Sequence, residues 1–106
     1  MSLIHQTGTT YHVVCDVTFD SVVALRREGD RCIAASNSAL CFDFQQVQQT
    51  KSIGLSLLLA WIRGARRYQR KIMFAHLPQQ WIDVARLCGV WDCLAKYTQE
   101  NEGVNT

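Results

Sequence analysis

The spacing of apolar residues switches repeatedly between strand-like runs and helical steps along this chain. Tyr11 to Val17 is β-branched and aromatic and reads as a strand. Gly8, Thr9 and Thr10 form a turn before it, so the residues ahead of Gly8 can fold back as a short hairpin partner. From Val22 the pattern changes. Val22, Leu25, Gly29, Cys32 and Ile33 recur at three- and four-residue steps, with Arg26, Arg27, Glu28, Asp30 and Arg31 between them. That predicts a helix, with Thr18, Asp20 and Ser21 as N-cap candidates. Gly29 lies inside it and costs about 1 kcal/mol of propensity.

Ala39 to Phe44 is a short apolar strand with one acid, Asp43. A polar connection, Gln45 to Lys51, is anchored only by Val47 and leads to a helix over Ile53 to Tyr68. Its apolar arc is wide. Leu55, Leu58, Leu59 and Ile62 form one strip; Ile53, Leu57, Trp61, Gly64 and Tyr68 form another. A helix lying on a sheet needs one stripe, so the second must be covered by a neighbouring helix or by another protein. Lys71 to His76 is the next strand. Pro78 opens a third helix carrying Trp81, Ile82, Val84 and Ala85, Gly89 closes it, and Val90 to Leu94 packs back. From Thr98 the chain is polar and aperiodic, as expected of a frayed tail. The order β-β-α-β-α-β-α predicts one α/β domain over residues 1–106, with its core within 11–94 and a largely parallel sheet.

Composition narrows the functional classes. A chain of 106 residues with 48% apolar and 19% charged residues is globular. A net charge of +2 does not imply nucleic acid without a focused basic patch. The longest apolar run, Leu57 to Ile62, is too short to insert in a bilayer, and the first residues lack signal-peptide character, so a cytoplasmic location is expected. Five cysteines without C-x-x-C spacing, four of them in apolar surroundings, read as reduced, buried thiols. His5, His12 and His76 are scattered, no hydrolase or nucleotide-binding pattern occurs, and neither metal, cofactor nor catalysis is expected.

The residues left with chemistry surround the start of the second helix. Ser52 stands where a hydroxyl can cap the helix, for about 1 kcal/mol, or accept a phosphate facing the positive end of the helix dipole. Arg63, Arg66, Arg67, Arg70 and Lys71 make a basic helix end, read as a solvated face before an acidic partner or lipid headgroups. Trp61 and Trp81 read as core first and interface second. Asp43 reads as a turn-bonding acid at the strand end before a partner-facing one.

Asp43-Phe44-Gln45-Gln46-Val47, then Lys51-Ser52-Ile53-Gly54-Leu55, then Leu57-Leu58-Leu59 resembles the central motif of STAS domains, and Thr18 to Val22 resembles the family's entry into its first helix. The resemblance covers about Tyr11 to Leu94. It implies a STAS-like (SpoIIAA-like) mixed sheet of four to five strands with helices on one face. It also implies a non-catalytic protein that works by docking, in some members switched by phosphorylation at the position of Ser52. Lys51 departs from the family's acid, and Ile53 from a small residue. These departures weaken the phosphoswitch more than the docking. The chain is most similar to the MlaB-type subunit of phospholipid-transport ABC complexes. That implies a cytoplasmic adaptor on the ABC ATPase subunit, peripheral to the inner membrane, with a homodimer left open. The alternative is an anti-sigma factor antagonist phosphorylated at Ser52. The docking residues expected on this reading are Thr50, Lys51, Ser52, Ile53, Leu57 and Trp61.

Overall fold

The computed structural model describes residues 2–48 and 51–98. The elements are β1 (Ile4–Thr7), β2 (Thr10–Val13), α1 (Val22–Ala35), β3 (Leu40–Asp43), α2 (Gly54–Arg67), β4 (Ile72–Ala75), α3 (Gln79–Leu87) and α4 (Trp91–Ala95). The strands form one mixed sheet in the order β1-β2-β3-β4. The β1–β2 hairpin is antiparallel, as the turn at Gly8 implies, and the β2–β3 and β3–β4 pairs are parallel. Both crossovers step the same way across the sheet. Their common right-handedness puts α1 and α2 on one face, which matches the STAS-like expectation of helices on a single side.

Register builds the core. Tyr11, Phe42 and Phe74 are neighbours on adjacent strands and are all buried under the helices. The alternate positions, His12, Asp43 and Ala75, point to the other face. β2 is shorter than the sequence suggests. Its pairing with β3 ends at His12 opposite Asp43; Val14, half-exposed, still donates its N–H to the Leu3 carbonyl at 3.0 Å, and Val17 turns back into the core.

The wide apolar arc of α2 is accounted for within the molecule. Leu57, Leu58, Trp61, Ile62 and Ala65 are all buried. Trp61 is the centre of this layer. Its ring stacks on Phe42, with centroids 4.2 Å apart and planes at 20°. Its Nε1–H donates to the Arg26 carbonyl of α1 at 3.2 Å. A Cβ on Gly29 would overlap the same ring. Gly29, a liability for the isolated helix, is therefore what lets α1 lie against Trp61. Gly54 plays the same part for Trp81 of α3, whose ring meets Phe44 edge-on at 5.4 Å. The buried Trp81 Nε1–H has no acceptor among the described residues.

Two helices end in matching backbone turns. After α3, the Val90 N–H bonds to the Ala85 carbonyl and the Gly89 N–H to that of Arg86, with Gly89 at φ +78°. After α2, Arg70 bonds to Ala65 and Gln69 to Arg66 in the same way, but the left-handed position is Gln69 at φ +57°.

Some expectations change. Thr98 does not belong to a frayed tail: it is buried and bridges Phe74 beside β4. Residues 99–106 lie outside the described residues. The cysteines are not buried hydrophobes. Cys88 and Cys93 are exposed, and Cys15, Cys32 and Cys41 are intermediate, because the core of each element is filled by larger side chains. Burial still pushes the Cys15 and Cys32 thiols above their ordinary pKa, with Asp16 and Glu28 adding to the effect at Cys15 and Glu28 at Cys32.

Gly29→Ala should destabilise the protein by about 1–3 kcal/mol through overpacking against Trp61. Gln69→Gly should stabilise it by about 1 kcal/mol, by relieving a left-handed side chain. Urea denaturation of the two variants measures both shifts.

Candidate docking surface

Because β2, β3 and β4 are parallel, the loops after their C-terminal ends gather at one end of the sheet. Among the described residues these are 14–21, 44–48, 51–53 and 76–78. The contact of Gly29 with Trp61 and that of Asp30 and Ile33 with Gly64 set α1 and α2 side by side, running the same way. Carried back along the helices, that register puts Phe19 to Val22 level with Lys51 to Gly54.

Asp43 organises this end. Its side chain is only 12% exposed. Its Oδ1 accepts the Gln45 N–H at 2.8 Å, so the acid does bond to the turn that follows its strand. The same oxygen faces His76 Nδ1 at 3.2 Å, and Oδ2 lies 3.9 Å from His12 Nδ1. His5 is the cross-strand neighbour of His12. Two histidines that look scattered in the sequence, His12 and His76, thus flank a single carboxylate. Among the described residues, no three His, Cys, Asp or Glu side chains are placed to hold a metal ion. Further out, the Gln48 N–H donates to Asp16 Oδ1 at 3.2 Å, which ties the α2 entry loop to the α1 entry loop.

The start of α2 differs from the expected cap. The cap position falls on Ile53, not Ser52. Backbone carbonyls satisfy the first turn: Gly54 N–H bonds to Lys51, Leu55 to Ser52 and Ser56 to Ile53. The Ser56 hydroxyl also donates to the Ile53 carbonyl at 2.7 Å. The first N–H groups are therefore engaged before any Ser52 hydroxyl or phosphate could reach them. Ser52 and Lys51 are exposed, and Ile53 is half-buried against the core. Ser21 similarly occupies the cap position of α1, but its hydroxyl turns back to the Asp16 carbonyl at 2.7 Å.

Of the other expected docking residues, Thr50 lies outside the described residues. Leu57 and Trp61 are corrected: at 1% and 0% exposure they are core. The middle of the second strip, Leu57 and Trp61, faces α1 and the sheet and presents nothing to a partner; at its end Tyr68 is exposed. The surface instead gains residues that the sequence reading did not select. Phe19 is 74% exposed, Val23 58% and Val14 40%. Phe19 and Val23 are four apart and off the buried stripe of α1. That spacing is a signal that could have been read as an outward apolar pair. Lys51, Ser52, Phe19 and Val23 together form a surface suited to contact, with an apolar patch beside an exposed hydroxyl and a cation.

A family model described as "Mlab, STAS domain" matches residues 5–95. No curated protein matches the chain.

Asp43→Ala should cost about 1–3 kcal/mol, since it leaves the Gln45 N–H without its acceptor, and Asp43→Asn should recover most of that. Ser52→Ala should change stability by less than about 0.5 kcal/mol, because no cap is lost. Thermal and urea unfolding of the three variants test both statements.

Proposed function

The chain belongs to the STAS domain family in its MlaB-type branch, and from that premise we propose that it is a non-catalytic adaptor docking on the ATPase subunit of a phospholipid-transport ABC complex. STAS domains of this kind are protein-interaction modules, generally regulatory rather than catalytic, and no helix among the described residues is long and apolar enough to cross a membrane. The observation that carries the docking reading is the exposed apolar pair Phe19 and Val23 at the end where Lys51 and Ser52 are presented. Large apolar side chains exposed beside polar ones favour a protein contact. Aromatic anchors of this kind dominate such contacts.

The adaptor reading places the chain in the cytoplasm, held at the inner membrane through its partner, as one domain working without cofactor. The second reading, an anti-sigma factor antagonist, rests on the exposed Ser52 hydroxyl. Lys51 beside it and the engaged N–H groups of the first turn support contact over phosphotransfer.

Phe19→Asp and Ser52→Glu should each abolish co-purification with the ATPase, while circular dichroism and melting temperature stay near those of the parent. Retained binding by both folded variants would move the docking surface elsewhere. Stoichiometric phosphorylation of Ser52 by a bound kinase, followed by release, would establish the antagonist reading instead.

A further inference from the structure

The charges of this chain are not mixed. Eight of its eleven Lys and Arg residues lie on α1, α2 and the turn after α2: Arg26, Arg27, Arg31, Arg63, Arg66, Arg67, Arg70 and Lys71. Only two of its nine acids, Glu28 and Asp30, share these elements. The helix pair therefore carries a formal +6 and the rest of the chain −4, which together make the net +2.

Both acids in this layer are partly committed elsewhere. Glu28 accepts the N–H groups of Leu3 and Ile4 at 3.1 Å each. Asp30 pairs with Arg26 at 3.7 Å, and burial pushes its carboxyl above the ordinary carboxylate range, against the pull of Arg26 and Arg67. Arg70 is also engaged, donating to the Ser36 and Tyr68 carbonyls, which ties the end of α2 to the end of α1. Arg26, Arg63 and Arg67 meet across the groove between the helices, beside Tyr68. Arg27 and Arg31 extend the band outward on α1, and Arg66 extends it on α2; all are exposed.

We propose that the outer wall of α1 and α2 is a docking surface for a membrane rich in anionic phospholipid, with Arg27, Arg31, Arg63, Arg66 and Arg67 meeting the lipid phosphates. Two parallel helices about 10 Å apart make a broad, nearly flat wall. A plane of phosphates fits such a wall, and the guanidinium fork suits phosphate oxygens. Single-stranded nucleic acid would need aromatic platforms among the charges, and Tyr68 is the exposed aromatic on this wall. On α2 the arginines lie in the C-terminal half, away from Ser52; on α1, Arg31 lies past the middle of the helix and Arg27 one turn beyond Val23, so the basic wall begins where the apolar patch ends. The choice of lipid phosphate over the carboxylates of an acidic protein rests on the transporter reading; the charge asymmetry does not.

The test uses the isolated protein, without any ATPase, and vesicles of equimolar phosphatidylglycerol and phosphatidylcholine. Flotation at low salt should show binding that weakens at and above physiological ionic strength, with none to phosphatidylcholine alone. Each basic residue near an anionic surface contributes about 1 kcal/mol, so Arg63→Ser with Arg67→Ser should lower the partition coefficient roughly 30-fold. Arg86→Ser, outside the wall, should leave it unchanged. Unaltered melting temperatures exclude misfolding of the variants. No binding at low salt, equal binding to neutral vesicles, or an equal loss with Arg86→Ser would overturn the proposal. Tighter binding to duplex DNA or polyglutamate than to the vesicles would overturn it as well. Co-purification with the ATPase is a separate readout, so either reading can fail while the other stands.

Discussion

One aromatic plane holds this protein together. Trp61 is flat against Phe42 on one side and occupies the space of a missing Gly29 Cβ on the other. Its indole N–H is satisfied by a backbone carbonyl of α1. A ring this large buries much apolar surface and tolerates few alternative positions. It therefore fixes the distance and the register of the two long helices at once. That register brings the entries of α1 and α2 level, and so determines which side chains share the end of the sheet. The candidate contact surface at that end is a downstream effect of a packing choice two helical turns away.

The alternation of elements was legible because it rests on local chemistry. The three- and four-residue spacing of Val22, Leu25, Gly29 and Ile33 defines α1, and Pro78 and Gly89 bracket α3. Asp43 was readable as a turn-bonding acid for the same reason, since its partner is two residues away. Legibility stopped where partners are distant in sequence. The second apolar strip of α2 can be assigned to a core or to a partner only once α1 is seen lying on it. Nothing around His12 or His76 announces that they flank Asp43, 31 and 33 positions away in the chain. Ser52 looks like a cap in sequence, yet the tight backbone turn from Lys51 to Gly54 takes the hydrogen bonds a cap would make. The fold was thus more readable than its surface, because core periodicity repeats and a surface patch does not.

The helix layer has two chemically distinct ends. Near the C-terminal ends of the parallel strands, Phe19, Val23 and Ser52 offer apolar and hydroxyl contact. From Arg26 onward on α1 and from Arg63 onward on α2, arginines gather the positive charge of the molecule. The helix dipoles reinforce this division, since both helices run the same way and their C-terminal ends favour cations. A surface divided in this way orients a protein in an electric field before any contact forms.

The edges of the sheet carry a further consequence. At β4, the bridge from Phe74 to Thr98 sets Thr98 beside the outer strand. At β1, Glu28 takes the N–H groups of Leu3 and Ile4, where a neighbouring strand would otherwise begin to pair. Exposed strand edges invite extension from one molecule into the next. Here Thr98 occupies one border at Phe74 and the other begins under a carboxylate. Copies of the protein at high concentration then carry less risk of stitching into a shared sheet. Self-association, where it occurs, is directed to side-chain surfaces, which a few substitutions can tune without disturbing the backbone.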